Sequence, residues 1–223
     1  MLGSMYSHRK LFGHFAKAVE CKAFVPNYRC APEHVHPAQV EDVVSVYQEL
    51  LAERNLAPGK VAFVGDSAGG ALALSGLLLA RDRKFPLPAA SFAIAPYLDM
   101  EALGSTYESN ADLDILGSRE ATLKFVELFL GPHGDRRDPL ANPLHADLSG
   151  LPPILIQSGG EDVLLDDSRQ FAERAQAAGT DVTLEIWPGM QHVFHFLAGN
   201  SAAADEAIAK ASSWIRKQLG IIK

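Results

Sequence analysis

Cysteine is scarce in this chain, and features that would mark a metal, a membrane or a nucleic acid are missing. Only Cys21 and Cys30 occur, nine positions apart. They flank an extended-looking segment that would hold them about 30 Å apart, far beyond disulfide reach. Without a bridge framework, a reducing compartment is expected. No Cys or His pair falls at ligand spacing, so no metal is expected. His34 and His36 sit in a proline-bounded loop and read as solvated or capping groups. The formal charge is -7, and no basic run offsets it, which argues against a nucleic-acid partner. No apolar run reaches the length of a membrane span. The longest is interrupted by Ser75 and Gly76 and closed by Arg81-Asp82-Arg83-Lys84. Met1 to Lys10 is polar and no apolar stretch follows it, so no secretory signal is read and a cytoplasmic location is expected.

The hydrophobic share is 48% and the charged share 21%. This is ordinary for a globular protein, and the length fits one domain over 1–223. Helical and extended patterns alternate along it. Ser7 to Glu20 carries a helical stripe (Leu11, Phe12, Phe15, Ala18, Val19). Lys22 to Tyr28 reads as a short strand. Pro37 to Arg54 reads as a helix with proline at its start, and Glu41 and Asp42 in its first turn suit the helix dipole. Val61–Val64 and Ala90–Leu98 read as strands around a helix over Ala68–Arg83. Pro153–Gly159 and Val182–Trp187 follow as strands, with helices over Ser168–Ala178 and Ala202–Leu219. The alternation implies a mostly parallel, doubly wound sheet of roughly five strands. Residues 104–150 break the rhythm. They hold one helical piece, Arg119–Leu130, among Gly, Asp and Pro, and are expected to form a cap.

The sharpest signal is Gly65-Asp66-Ser67-Ala68-Gly69-Gly70, a G-x-S-x-G motif between a strand and a helix. The turn is too tight for side chains at the glycines. It forces the serine into a strained conformation with its hydroxyl projecting above the sheet. The following helix aims its first amides, including that of Ala68, at the same point. The motif lacks the lysine of a P-loop and the spacing of a dinucleotide fingerprint.

A serine hydroxyl needs a base, and the base an orienting carboxylate. In this strand–turn–helix context they follow in the order acid, then histidine. Four acids lie past the Ile154–Gln157 strand: Glu161, Asp162, Asp166 and Asp167. Asp166 and Asp167 precede a helix and suit N-capping, so Asp162 is favoured. His192 and His195 lie past the last strand, and His192 leaves the tight loop Trp187-Pro188-Gly189-Met190-Gln191 where triad order requires a base.

These residues resemble the hormone-sensitive lipase group of α/β-hydrolases, the bacterial short-chain carboxylesterases. The resemblance rests on Tyr28 to Glu33, His36 to Asp42, Gly65 to Gly70, Glu161 to Asp167 and Gly189 to Phe194. It implies an α/β-hydrolase fold, Ser67, Asp162 and His192 as triad, a small acyl ester as substrate, no cofactor and, by analogy, a homodimer. The family's His-Gly-Gly-Gly loop, whose amides complete the oxyanion site, occurs nowhere in this sequence. The resemblance therefore implies a member lacking its N-terminal portion: the first three strands, that loop and part of the cap. The Ala68 amide is then the expected oxyanion donor, with Gly3 or Gly69 nearby. Two further readings stand beside the esterase: a non-catalytic or weakly active remnant with an incomplete oxyanion hole, and a related amidase, peptidase or lactonase.

Overall fold

A computed structural model describes residues 3–221. Its sheet has four parallel strands, β1 (Ala62–Asp66), β2 (Ala90–Ile94), β3 (Ile154–Gly159) and β4 (Val182–Trp187), hydrogen-bonded in that order. The helices are α1 (Met5–Val19), α2 (Ala38–Glu53), α3 (Ala68–Asp82), α4 (Thr106–Ser109), α5 (Arg119–Leu130), α6 (Leu165–Ala177) and α7 (Ala202–Gln218).

Alternation of side chains along the strands builds two cores. Ile154 and Ile156 point to one face and meet Leu74, Leu77 and Leu78 of α3 and Phe171 of α6. Leu155 points the other way and joins Phe92 and Ile94 of β2, where Leu11 and Phe15 of α1 and Ile208 and Ile215 of α7 cover the sheet. Both faces are buried, so the central strands read as continuous apolar runs rather than alternating ones. Each fully buried side chain of this size contributes about 1.5–3 kcal/mol. Helix α3 is buried from Gly70 to Ala80, which explains an apolar pattern on all its sides. Helix α1 starts at a reciprocal cap, with the Ser4 side chain accepting from the Ser7 amide and the Ser7 side chain from the Ser4 amide.

Three expectations fail at the β1 edge and in the loops beside it. Lys22–Tyr28 is not a strand, and among the described residues β1 pairs with β2 alone. Pro26 removes one donor from this short segment. Arg29 draws its end toward α2, its amide and guanidinium bonding Asp42 at 2.8 and 2.6 Å. Tyr28 packs with Val40 and Val44 of α2. Glu41 and Asp42, in keeping with their place near the start of α2, also form ion pairs, to Arg83 and Arg29. His36 is not solvated: its side chain is buried, with Nε2 3.2 Å from Asp138 and the ring against Phe129. His34 is exposed. Finally, β2 stops at Ile94, short of Leu98, because Ala95 takes a positive φ of 43° and Pro96 cannot donate.

Residues 104–150 leave the sheet between β2 and β3 and carry α4, α5 and a 3₁₀ turn at Pro143–His145. Val126 and Leu130 of α5 pack with Met100 and Ala141. Tyr107 packs with Val163 and Leu164, just past β3. Among the described residues no helix is long and apolar enough to cross a membrane, and no group of three His, Cys, Asp or Glu is arranged to hold a metal ion.

Candidate active site

Strand β1 runs straight into the turn that starts α3. Ser67 occupies it at φ 52°, ψ -118°, a conformation that costs a non-glycine residue about 1–3 kcal/mol. Surrounding hydrogen bonds hold it there. The Ser67 amide donates to the Ile94 carbonyl at 2.8 Å, and its own carbonyl accepts from Tyr97 at 3.1 Å and Ala71 at 3.0 Å. A Cβ on Gly65 would fall onto the Gly69 carbonyl, so only glycine lets β1 and α3 cross so closely. Ala68 opens α3, where the first amides lack helical partners.

The loop after β4 folds across the end of β3. Gly160 donates to the Trp187 carbonyl at 2.8 Å and Glu161 to the Met190 carbonyl at 3.0 Å. The Met190 carbonyl passes where a Cβ of Gly159 would stand. This crossing brings the two loops' side chains together. Asp162 is fully buried. One of its oxygens accepts from the Leu164 amide at 2.8 Å, and the other lies 2.7 Å from His192 Nδ1. His192 Nε2 lies 3.0 Å from Ser67 Oγ. A carboxylate can only accept, so the proton sits on Nδ1 and Nε2 offers its lone pair to the serine hydroxyl. Burial pushes the His192 imidazole down. The hydrogen bond and charge of Asp162, with Asp114 and Asp66 farther off, outweigh burial and hold it above its usual value.

The other candidates lie elsewhere. Glu161 accepts from Gln191 Nε2 at 2.8 Å. Asp166 and Asp167 do not cap α6, whose first flanking residue, Leu164, makes no side-chain cap bond. They reach sideways. Asp166 accepts from Ser105 Oγ at 2.7 Å and the Thr106 amide at 3.2 Å. Asp167 accepts from the Leu98 and Asp99 amides at 2.8 and 2.9 Å. Helix α6 begins at Leu165, earlier than the pattern at Ser168 indicates, so both acids lie inside its first turn. His195 is buried on a 3₁₀ turn (Phe194–Leu197), with Nε2 2.9 Å from Gln157 Oε1. Burial pushes its imidazole down to about 3.

Sequence reasoning missed the residues that support the acid. Asn110 donates to the carbonyls of Gly160 and Asp162 at 3.1 and 2.9 Å. Asp114 accepts from the Val163 amide at 2.8 Å, and Thr106 Oγ1 donates to the Val163 carbonyl at 2.8 Å. All three come from residues 104–150, distant in the chain, and no local pattern marks them.

A strained serine between a parallel strand and a buried helix, reached by a histidine and an acid from later strand ends, defines an α/β hydrolase. A family model described as alpha/beta hydrolase fold matches residues 1–196. An acetyl-hydrolase of Streptomyces hygroscopicus is 41% identical over 219 residues, covering 98% of this chain and 73% of the relative. An esterase of Acinetobacter venetianus is 33% identical, covering 93% of this chain and 68% of the relative. A crystal structure of an esterase from the bacterial hormone-sensitive lipase family superposes with a TM-score of 0.96 at 43% identity, covering 98% of this chain and 73% of that one. The chain belongs to the hormone-sensitive lipase family of α/β hydrolases.

Proposed function

We propose that this protein is a serine carboxylesterase acting on short-chain acyl esters through an acyl-enzyme. The observation that carries the reading is the unbroken chain from Ser67 Oγ through His192 to buried Asp162. The acetyl-hydrolase and esterase names of its relatives support the same class. As Ser67 Oγ attacks the acyl carbonyl, His192 Nε2 takes the hydroxyl proton. Asp162 holds the Nδ1 proton in place and stabilises the imidazolium. The Ala68 amide donates to the oxygen that becomes negative, at the positive end of α3. His192 then protonates the leaving alcohol, and a water repeats the sequence to free the acid. Residues 104–150 act as a cap: they fix the Asp162 loop and present the exposed side chains of Leu113, Ile115 and Leu116.

Hydrolysis of p-nitrophenyl acetate and butyrate by the wild type and by Ser67→Ala tests the proposal. The variant is expected to lose at least about 10⁴-fold in kcat, the scale on which serine hydrolases depend on the nucleophile. A folded wild type with no more activity than the variant would return the chain to the non-catalytic reading.

A further inference from the structure

Asp66 immediately precedes the nucleophile and is 9% exposed. The triad does not use it, yet its carboxylate is close enough to raise the His192 imidazole. A buried negative charge two residues before the Ala68 amide opposes a site that must take up negative charge on the substrate oxygen. Its bonding partner is His8 of α1, with Nε2 3.3 Å from Asp66 Oδ2.

The geometry around His8 suits a charged ring. The Ser7 hydroxyl gives its proton to the Ser4 carbonyl at 3.0 Å. That leaves the hydroxyl oxygen, 2.8 Å from His8 Nδ1, to accept, and the Ser4 carbonyl at 3.2 Å also accepts. Asp66 accepts at the other nitrogen. Both ring nitrogens thus face acceptors, which suits an imidazolium. Phe12 stacks on the ring at 5.8 Å and Phe196 meets it edge-on at 5.0 Å. Gly3 lies against it at φ 91°, and a Cβ there would stand 2.7 Å from His8 Cε1. The other titratable groups under the influence of Asp66 are Tyr28, His192 and His195. Of these, His195 is neutral, Tyr28 stays protonated and His192 must be neutral to act as base.

We propose that His8 is a positioning residue for the esterase reaction: as a cation it neutralises Asp66 beside the nucleophile and pins the first turn of α1 to the turn at Ser67. This rests on the Ser67 esterase reading. The Asp66 bond is the largest influence on His8 and holds its imidazole above the usual value against burial. His8 therefore keeps its charge to higher pH than an ordinary imidazole and discharges as pH rises through that raised pKa. Activity then falls on the alkaline side, opposite in sense to the acid limb of His192.

The test measures pH profiles of kcat and KM on p-nitrophenyl acetate for the wild type, His8→Gln, His8→Arg, Asp66→Asn and the double variant His8→Gln/Asp66→Asn. NMR titration of the His8 imidazole accompanies them. His8→Gln is expected to lower kcat about tenfold at neutral pH, the scale of one uncompensated charge nearby, with KM little changed and the alkaline limb gone. His8→Arg restores most of the rate. The double variant recovers activity because no charge is left to neutralise. In Asp66→Asn the His8 pKa falls toward that of an ordinary imidazole. An active wild type whose rate and alkaline limb are unchanged in His8→Gln overturns the inference alone, as does a His8 pKa that Asp66→Asn leaves in place. A wild type silent on every ester, with His8 still shifted by Asp66→Asn, overturns the esterase reading and upholds the ion pair.

Discussion

The two ends of the sheet position their parts of the site by different physics. At the β1 end, Ser67 is held by backbone sterics inside one hexapeptide, a positive φ and a glycine where a side chain would collide, and by three main-chain hydrogen bonds, one to Ala71 in the adjoining turn of α3 and two to Ile94 and Tyr97 at the end of β2. At the β3–β4 end, Asp162 and His192 sit on longer loops that cross at Gly159, where the Met190 carbonyl leaves no room for a Cβ. Their placement depends on side chains from elsewhere: Asn110, Asp114 and Thr106 brace the Asp162 loop from residues 104–150. A nucleophile can be fixed locally because it needs one exposed atom at one angle. An acid–base pair must be built across the fold, because its value lies in burial and in the distance between two loops.

Asp162→Asn strikes the β3–β4 end hardest. Asparagine keeps an acceptor for the Leu164 amide, so the loop is expected to survive. The imidazole loses the carboxylate that fixes its tautomer, and kcat is expected to fall about 10⁴-fold with little change in Tm. The pH profile gives the sign. Wild-type activity is expected to be lost as pH falls through the raised His192 pKa, because a base must be neutral to take the serine proton. Without Asp162 the limb of the residual activity moves to lower pH. A limb that stays in place would mean that Asp162 does not set the imidazole.

Gly65→Ala probes the β1 end with a backbone cost instead of a chemical one. The added methyl meets the Gly69 carbonyl, and overpacking of this kind costs about 3 kcal/mol. That corresponds to a fall in Tm of about 10 °C for a chain of this size. Activity is expected to fall with it, since the strain on Ser67 relaxes when β1 and α3 part. A variant that loses activity but keeps its Tm would show that the turn tolerates the methyl and that only the serine moved.

The sequence made the two ends legible to different degrees for the same reason. The place of Ser67 and Ala68 at a strand–helix turn was readable outright, since strand, turn and helix lie side by side in the chain. The approach of His192 to Ser67 was expected from the order of motifs. Asp162 was one of four acids, and what separates it from Asp167, five residues later and equally buried, is the direction each carboxylate faces, which no pattern encodes. The central strands were readable as buried apolar runs. Lys22–Tyr28 was misread as a short strand, whereas a strand is defined by a hydrogen-bonded neighbour; Arg29 and Asp42 hold its end to α2 instead. His36 was misread as solvated because Asp138 and Phe129, its partners, lie a hundred residues on.

Asp167 sharpens the contrast with Asp162. Burial pushes its carboxyl up to about 8, against two amide hydrogen bonds that lower it, and its second oxygen, Oδ1, lies buried without a hydrogen-bond partner. Between the ordinary carboxylate value of about 4 and about 8, the native state keeps a proton that the unfolded chain has released. Stability from this group is therefore complete below pH 4 and is lost as pH rises toward 8. Asp167→Asn has no proton to lose and keeps an acceptor for the Leu98 and Asp99 amides. Its Tm relative to wild type is expected to improve by a few degrees from pH 5 to pH 8.5, with activity within about tenfold because it touches neither Ser67 nor His192. A difference in Tm that stays constant with pH would mean that Asp167 is ionised in the native state. It would then share the charge of Asp162 without sharing its position against the imidazole.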